Sequence, residues 1–147
     1  MKSTKLLILG FSCFYFTSCV YFNTFYNAEN SFKQANEIID NSSFNYENND
    51  IPTSAKKLLN ESIISSNIVI NEYSDSKYVD DAIYYMGRSY FTLAEYFKSE
   101  KYFSELINKY PDSKYFNESK LWLEYTRLKL EPKDVILENL KLIEKII

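Results

Sequence analysis

The sequence predicts an all-α protein, an α-α superhelix of about three helical hairpins behind an N-terminal signal peptide. Three observations carry that prediction. The first is scarcity: two glycines and three prolines in 147 residues are too few for the many tight turns of a β-sandwich or barrel, which recruit those residues for their backbone angles. The second is spacing, because apolar residues recur at intervals of 3 and 4, the period of one helix face. The third is repetition. NEYSDSKY at 71–78 returns as NKYPDSKY at 108–115, 37 positions later, with six of eight letters unchanged. A period of this length marks stacked helical units.

The elements follow in order. Phe22, Phe25, Ala28, Phe32, Ala35 and Ile39 form one stripe of a first helix, and residues 40–51, rich in Asn, Ser and Asp, read as a polar loop. Pro52 and Thr53 open a second helix that runs into Tyr73 with Ala55, Leu58, Leu59, Ile63, Val69 and Ile70 as its apolar positions. A third helix is expected from about Val79 to Ala94. Asp75 or Ser76 is placed to cap it, and Asp80 and Asp81 to complement the positive end of its dipole. The fourth helix, Phe97 to Lys109, stops before Pro111. The fifth runs from about Tyr115 to Leu130, and Pro132 suits the first position of a sixth, Lys133 to Ile147, striped by Ile136, Leu140, Ile143 and Ile147. The hairpins are thus bounded at about 21–72, 76–110 and 115–147. The repeated phrase falls between them as a joint.

The first 18 residues read as an address. Lys2 and Lys5 precede an apolar run from Leu6 to Phe16, followed by small polar Thr17 and Ser18 and then Cys19. This is the layout of a secretory signal. Phe16-Thr17-Ser18-Cys19 resembles a bacterial lipobox, which implies a signal peptide at 1–18, lipidation of Cys19 by acyl chains such as palmitate, and a mature domain of 19–147. Because the residue after Cys19 is Val20 and not Asp, the resemblance implies the outer membrane, periplasmic face. Other readings stay open: lipidation at Cys13, an ordinary cleaved signal, or an uncleaved anchor over Leu6 to Phe22, at the lower limit for spanning.

The central unit bears comparison with a known pattern. Ile83, Met86-Gly87, Tyr90, Ser99, Phe103 and Pro111 follow the order and spacing of a tetratricopeptide repeat. Gly87 and Ser99 permit close helix approach, Tyr90 and Phe103 fill the space between, and Pro111 ends the second helix. With the YPDSKY joint, the chain resembles BamD-like outer-membrane lipoproteins. The third unit departs from the pattern, placing Lys120, Leu123, Glu124 and Arg127 at the register of Ile83, Met86, Gly87 and Tyr90, and the first has a longer loop and no glycine.

Composition narrows the function. With no histidine, the commonest metal ligand and the usual proton shuttle near neutrality are missing. Removal of Lys2 and Lys5 with the leader leaves 15 basic against 20 acidic residues, net −5, which does not suit a polyanion such as nucleic acid. No calcium-loop, P-loop, nucleophile-elbow or zinc spacing is present. Asp80-Asp81 fits a helix start, and Glu47 with Asp50 sits in the polar loop. We therefore expect no enzyme, no cofactor and no metal, but a scaffold for protein partners of the cell envelope, with membrane attachment through the lipid. The 26 aromatic rings, 14 Tyr, 11 Phe and one Trp, fill a core short of Leu and Ala. They also leave open a second reading, a lipid or small-molecule carrier with an aromatic-lined groove. If Ile83, Met86 and Tyr90 face the partner helix, then Asp81, Tyr84, Arg88 and Phe91 share the adjoining face. That face lines the concave peptide groove of tetratricopeptide arrays, where Tyr125 joins it as a candidate contact and Arg88 offers a fork to a carboxylate. At the C-terminus Ile143, Ile146 and Ile147 have no polar cap, so they pack on a partner or the chain is a shortened array.

Overall fold

A computed structural model of the chain describes residues 22–42 and 51–131. The leader with Cys19, most of the first loop and the expected sixth helix lie outside the described residues. Within them are five helices: α1 (residues 22–40), α2 (Thr53–Glu72), α3 (Val79–Thr92), α4 (Tyr96–Lys109) and α5 (Phe116–Leu130). From α2 to α5 each packs on its neighbours in sequence and α3 also reaches α5, while α1 meets α2 at Ser62 and α3 at Tyr85. The expected stripe of α1 is buried from Phe25 onward, through Ala28, Phe32, Ala35 and Ile39, while Phe22 stays exposed.

Close approach at the hairpin crossings organises the core. In the α3/α4 hairpin a Cβ added at Gly87 would lie 2.9 Å from Phe103 Cε1, and Phe103 is completely buried. The Ser99 hydroxyl donates to the Gly87 carbonyl at 3.0 Å. The α1/α2 hairpin uses the same device: Ser62, 37 residues before Ser99, donates to the carbonyl of Ala28 at 2.8 Å. Ala28 therefore stands where the central unit has glycine. The first unit is a hairpin of the same kind with its loop lengthened.

The two copies of the repeated phrase fold alike. In the first, Ser76 N–H donates to the Tyr73 carbonyl at 2.8 Å and Val79 N–H to the Ser76 carbonyl at 3.2 Å. In the second, Ser113 N–H donates to Tyr110 at 3.1 Å and Phe116 N–H to Ser113 at 3.0 Å. The expectation that Asp75 or Ser76 caps α3 needs correction. Ser76 Oγ accepts from the Tyr78 N–H, as Ser113 Oγ does from Tyr115, both at 3.2 Å. The serine side chain thus closes the turn, and the cap positions Tyr78 and Tyr115 make no side-chain cap bond. The rings that end each phrase reach back to the preceding hairpin: Tyr78 stacks on Phe25 at 4.4 Å and Tyr115 on Tyr84 at 3.9 Å between centroids.

Helix α3 ends two residues earlier than the periodicity suggests. Ala94 takes a left-handed backbone with φ of 59°, its N–H donates to Phe91 at 3.0 Å, and the Glu95 N–H reaches back to Tyr90 at 2.9 Å. This is the glycine-type helix stop with alanine in the left-handed position. Two substitutions should act in opposite directions in urea unfolding. Gly87→Ala should destabilise by about 1–3 kcal/mol through overpacking against Phe103, and adding Phe103→Leu should cost less in that background than alone. Ala94→Gly should stabilise by about 0.5–1 kcal/mol through relief of backbone strain.

Candidate protein-interaction surface

Helices α1, α3 and α5 are the first helices of successive hairpins, and their side chains meet along one side of the array. Arg88 is the centre of this meeting. Its guanidinium carbon lies 3.8 Å from the Trp122 ring centroid of α5 and 5.3 Å from Phe32 of α1, distances at which the cation is attracted to the ring faces. Nη1 donates to the Tyr84 hydroxyl at 2.7 Å and to Glu118 Oε1 at 3.3 Å. The Tyr84 hydroxyl donates to the same Glu118 oxygen, and Trp122 Nε1 approaches it at 3.3 Å. One carboxylate oxygen of α5 thus gathers three donors, two of them from α3. Burial pushes the Tyr84 hydroxyl above the ordinary tyrosine range, and the Glu118 carboxylate raises it further against the opposing pull of Arg88. Tyr84 stays neutral, as a donor must.

A second polar seam ties α3 to α1 and to the following joint. The Tyr85 hydroxyl donates to Glu29 at 2.9 Å and lies 2.9 Å from the Tyr115 hydroxyl. Burial, first of all, pushes the Tyr85 hydroxyl upward. For Glu29 burial is also the largest effect and acts upward, but the bonds from Lys33 and Tyr85 together outweigh it and hold the carboxyl below its ordinary value. Lys114, in the second copy of the phrase, pairs with the buried Asp81 at 2.5 Å. The partners shift in ways that value the pair differently. Burial raises Asp81 more than the ammonium lowers it, whereas the bond to Asp81 raises Lys114. The Asp81 direction is the better guide to stability because its side chain is almost fully buried and that of Lys114 is mostly exposed.

The five residues expected to meet a partner are therefore not equally available. Asp81, Tyr84 and Phe91 are buried, with Phe91 edge-on against Trp122 at 4.9 Å. Tyr84 and Phe91 hold α3 to α5, and Asp81 holds it to the joint through Lys114. Arg88 keeps 17% of its side chain exposed, and Nη1 is committed to Tyr84 and Glu118. Its expected fork to an outside carboxylate is thus partly occupied from within. Tyr125 is open, 49% exposed. Beside it stand Leu121 and Leu128, 55% and 53% exposed, which periodicity alone does not single out. The 37-residue repeat does. It carries Tyr84, Arg88 and Phe91 of α3 onto Leu121, Tyr125 and Leu128 of α5, so the face by which α3 receives α5 is presented again by α5 without a described occupant. The third-unit residues Lys120, Glu124 and Arg127 are solvated, Arg127 pairing with Glu100 and Glu124.

Many of the rings contact one another in stacked, tilted or edge-on pairs, as Tyr90 with Tyr102 at 5.6 Å and 9°. A shallow depression of about 270 Å³ between the α3–α4 turn and Leu130 falls below the 300–1,000 Å³ usual for a ligand pocket. No described helix is long and apolar enough to cross a membrane.

The paired helices, the glycine crossing and the recurrent joint define a helical-hairpin repeat array. Residues 81–113, which take in most of α3, all of α4 and the second joint up to Ser113, match the tetratricopeptide repeat family. The chain carries a tetratricopeptide repeat at its centre, a unit whose general use is in non-catalytic protein interaction. Neither the curated proteins nor the solved structures yield a significant match.

The Asp81–Lys114 pair makes a testable pH dependence. The folded-state value of Asp81 is raised above 3.8, so the fold holds this proton more tightly than the unfolded chain does. Its contribution to stability is greatest below that value and is lost as pH rises through the folded value. Lys114→Met leaves the charge buried with less compensation. Its unfolding free energy in urea titrations should fall below that of wild type by about 1 kcal/mol at pH 7, and the gap should narrow toward pH 4. In an Asp81→Asn background Lys114→Met should have little effect.

Proposed function

We propose that this chain is a lipid-anchored scaffold on the periplasmic face of the outer membrane, where it binds envelope proteins, with a role in outer-membrane protein assembly as its BamD-like resemblance implies. The observation that carries the binding reading is the open face of α5. Leu121, Tyr125 and Leu128 form an apolar stripe at the positions that receive the next hairpin elsewhere in the array. An amphipathic helix or an extended segment of a partner would bury that stripe against Tyr125, a residue type favoured at interface centres. On α5 the exposed Glu118 and Lys129 lie within a turn of the stripe and supply polar specificity. Anchoring rests on the lipobox-like Phe16-Thr17-Ser18-Cys19. Several acyl chains hold a protein at a membrane where one does not. The carrier reading has less support, because the depression between the α3–α4 turn and Leu130, about 270 Å³, is smaller than a usual ligand pocket.

The test is affinity isolation of the intact protein from solubilised membranes. Leu121→Ser, Tyr125→Ser and Leu128→Ser together should reduce recovery of the protein partner about tenfold while leaving the melting temperature near wild type. Unchanged recovery would remove the stripe from the interface, and co-purified lipid without protein would favour the carrier. Labelling with a clickable fatty acid should be lost in Cys19→Ala; labelling that persists assigns the lipid elsewhere.

A further inference from the structure

The outward side of α1 is the other end of the array among the described residues, and its polarity is uneven along its length. Setting Ala28 in register with Gly87, as the serine bonds from Ser62 and Ser99 require, brings Tyr26 to the position of Tyr85. Tyr85 is buried against α1. Tyr26 has no preceding described helix and is 51% exposed, as is Phe22 one turn earlier. Farther along the same side the exposed positions are Lys33 and Glu37, with Asn30 half-buried and Lys33 reaching round at 2.8 Å to Glu29, which faces α3. A terminal repeat is expected to be polar on its outer face. This one is polar everywhere except its first turn and a half.

That exception lies beside the candidate lipid site. Cys19 precedes Phe22 by three residues, at most about 10 Å of chain, whereas the far end of the 19-residue α1 is roughly 28 Å away along the helix axis. Phe22 also leans on the joint, 6.1 Å from Tyr78, whose ring carries Lys77 Nζ at 5.1 Å. An apolar ring, a ring with a polar tip and an exposed ammonium are the groups that settle at the boundary between phospholipid headgroups and acyl chains.

We infer that Phe22 and Tyr26 seat the first turn of α1 in the headgroup boundary of a zwitterionic phospholipid surface. This inference rests on the lipid anchor proposed above. Without the leader the chain carries 15 basic against 20 acidic residues, a net charge of −5 that disfavours an anionic surface, and the apolar contact is too small to hold the protein alone. The rings set orientation: the N-terminal end of the array rests on the bilayer, and the partner stripe of α5 is held away from it.

The test uses the full-length, lipidated protein in phosphatidylcholine vesicles brominated near the headgroup end of the acyl chains. Two reporters are placed in a Trp122→Phe background: Phe22→Trp, and Ile64→Trp on the outward face of α2, where Ile64 is exposed. The expected result is about a twofold loss of emission for the reporter at 22, relative to unbrominated vesicles, with a blue shift and no change at 64. Vesicle-bound protein with an unquenched reporter at 22 overturns the seating and leaves the anchor standing. A blue shift without quenching shows a protein surface over these rings and also overturns it. Lipid-labelled protein that remains in solution overturns the anchoring and the seating together. Phe22→Ser with Tyr26→Ser should leave the protein on the vesicles but move the rest of α1: a Lys33→Trp reporter, unquenched in the parent, should change its quenching when orientation is lost. No change there would refute the orienting role.

Discussion

The fold depends on one close approach, that of Phe103 to the bare backbone at Gly87. Without a Cβ at that point the ring lies directly on α3, and Ser99 is brought near enough to bond the Gly87 carbonyl. The hairpin therefore closes by a hydrogen bond to a helix carbonyl as well as by apolar contact, an arrangement that fixes the relative height of the two helices. The first hairpin achieves the same height with Ser62 and Ala28. Once α3 and α4 are held at this spacing, the sides of α3 left over are set: one for α1, one for α2 and one for α5.

That accounts for the unusual burial of α3. Eleven of its fourteen residues are buried, including Asp81, Tyr84 and Tyr85. A helix enclosed on so many sides has to satisfy polar groups internally. Glu118 supplies an acceptor to Tyr84 and Arg88, Glu29 supplies one to Tyr85, and Lys114 meets Asp81. Each partner comes from a different neighbour, α5, α1 or the joint. The polar seams consequently specify how successive hairpins stack, whereas the apolar contacts supply most of the driving force.

Much of this was legible in the sequence, for a physical reason. Helix periodicity is a local property, so the stripe from Phe25 to Ile39, the start at Pro52 and the stop before Pro111 could be read from spacing and backbone restriction. The function of Gly87, Ser99 and Phe103 was equally readable, because a small residue opposite a large one has a direct steric meaning. The availability of Tyr84 and Phe91 was not. Spacing shows which residues share a face but not which helix arrives on it, and α5 arrives on that one. The cap was misplaced for a related reason: Ser76 can close its own turn or serve the helix after it, and the choice depends on where Tyr78 is drawn by Phe25. The drift of the third unit, by contrast, was visible in Lys120 and Arg127, which remain in solvent.

The two joints carry a geometric consequence. Tyr73 and Tyr110 leave their helices with φ/ψ of −129°/45° and −129°/62°, and Tyr78 and Tyr115 begin the next with −103°/7° and −93°/2°. The chain therefore makes nearly the same turn at both joints, encoded in a few backbone angles and locked by a serine. How one element follows another is set at these short hinges as well as along the helices they connect. A chain built this way can lengthen by whole units or exchange their exposed faces without altering the curvature on which a partner would register.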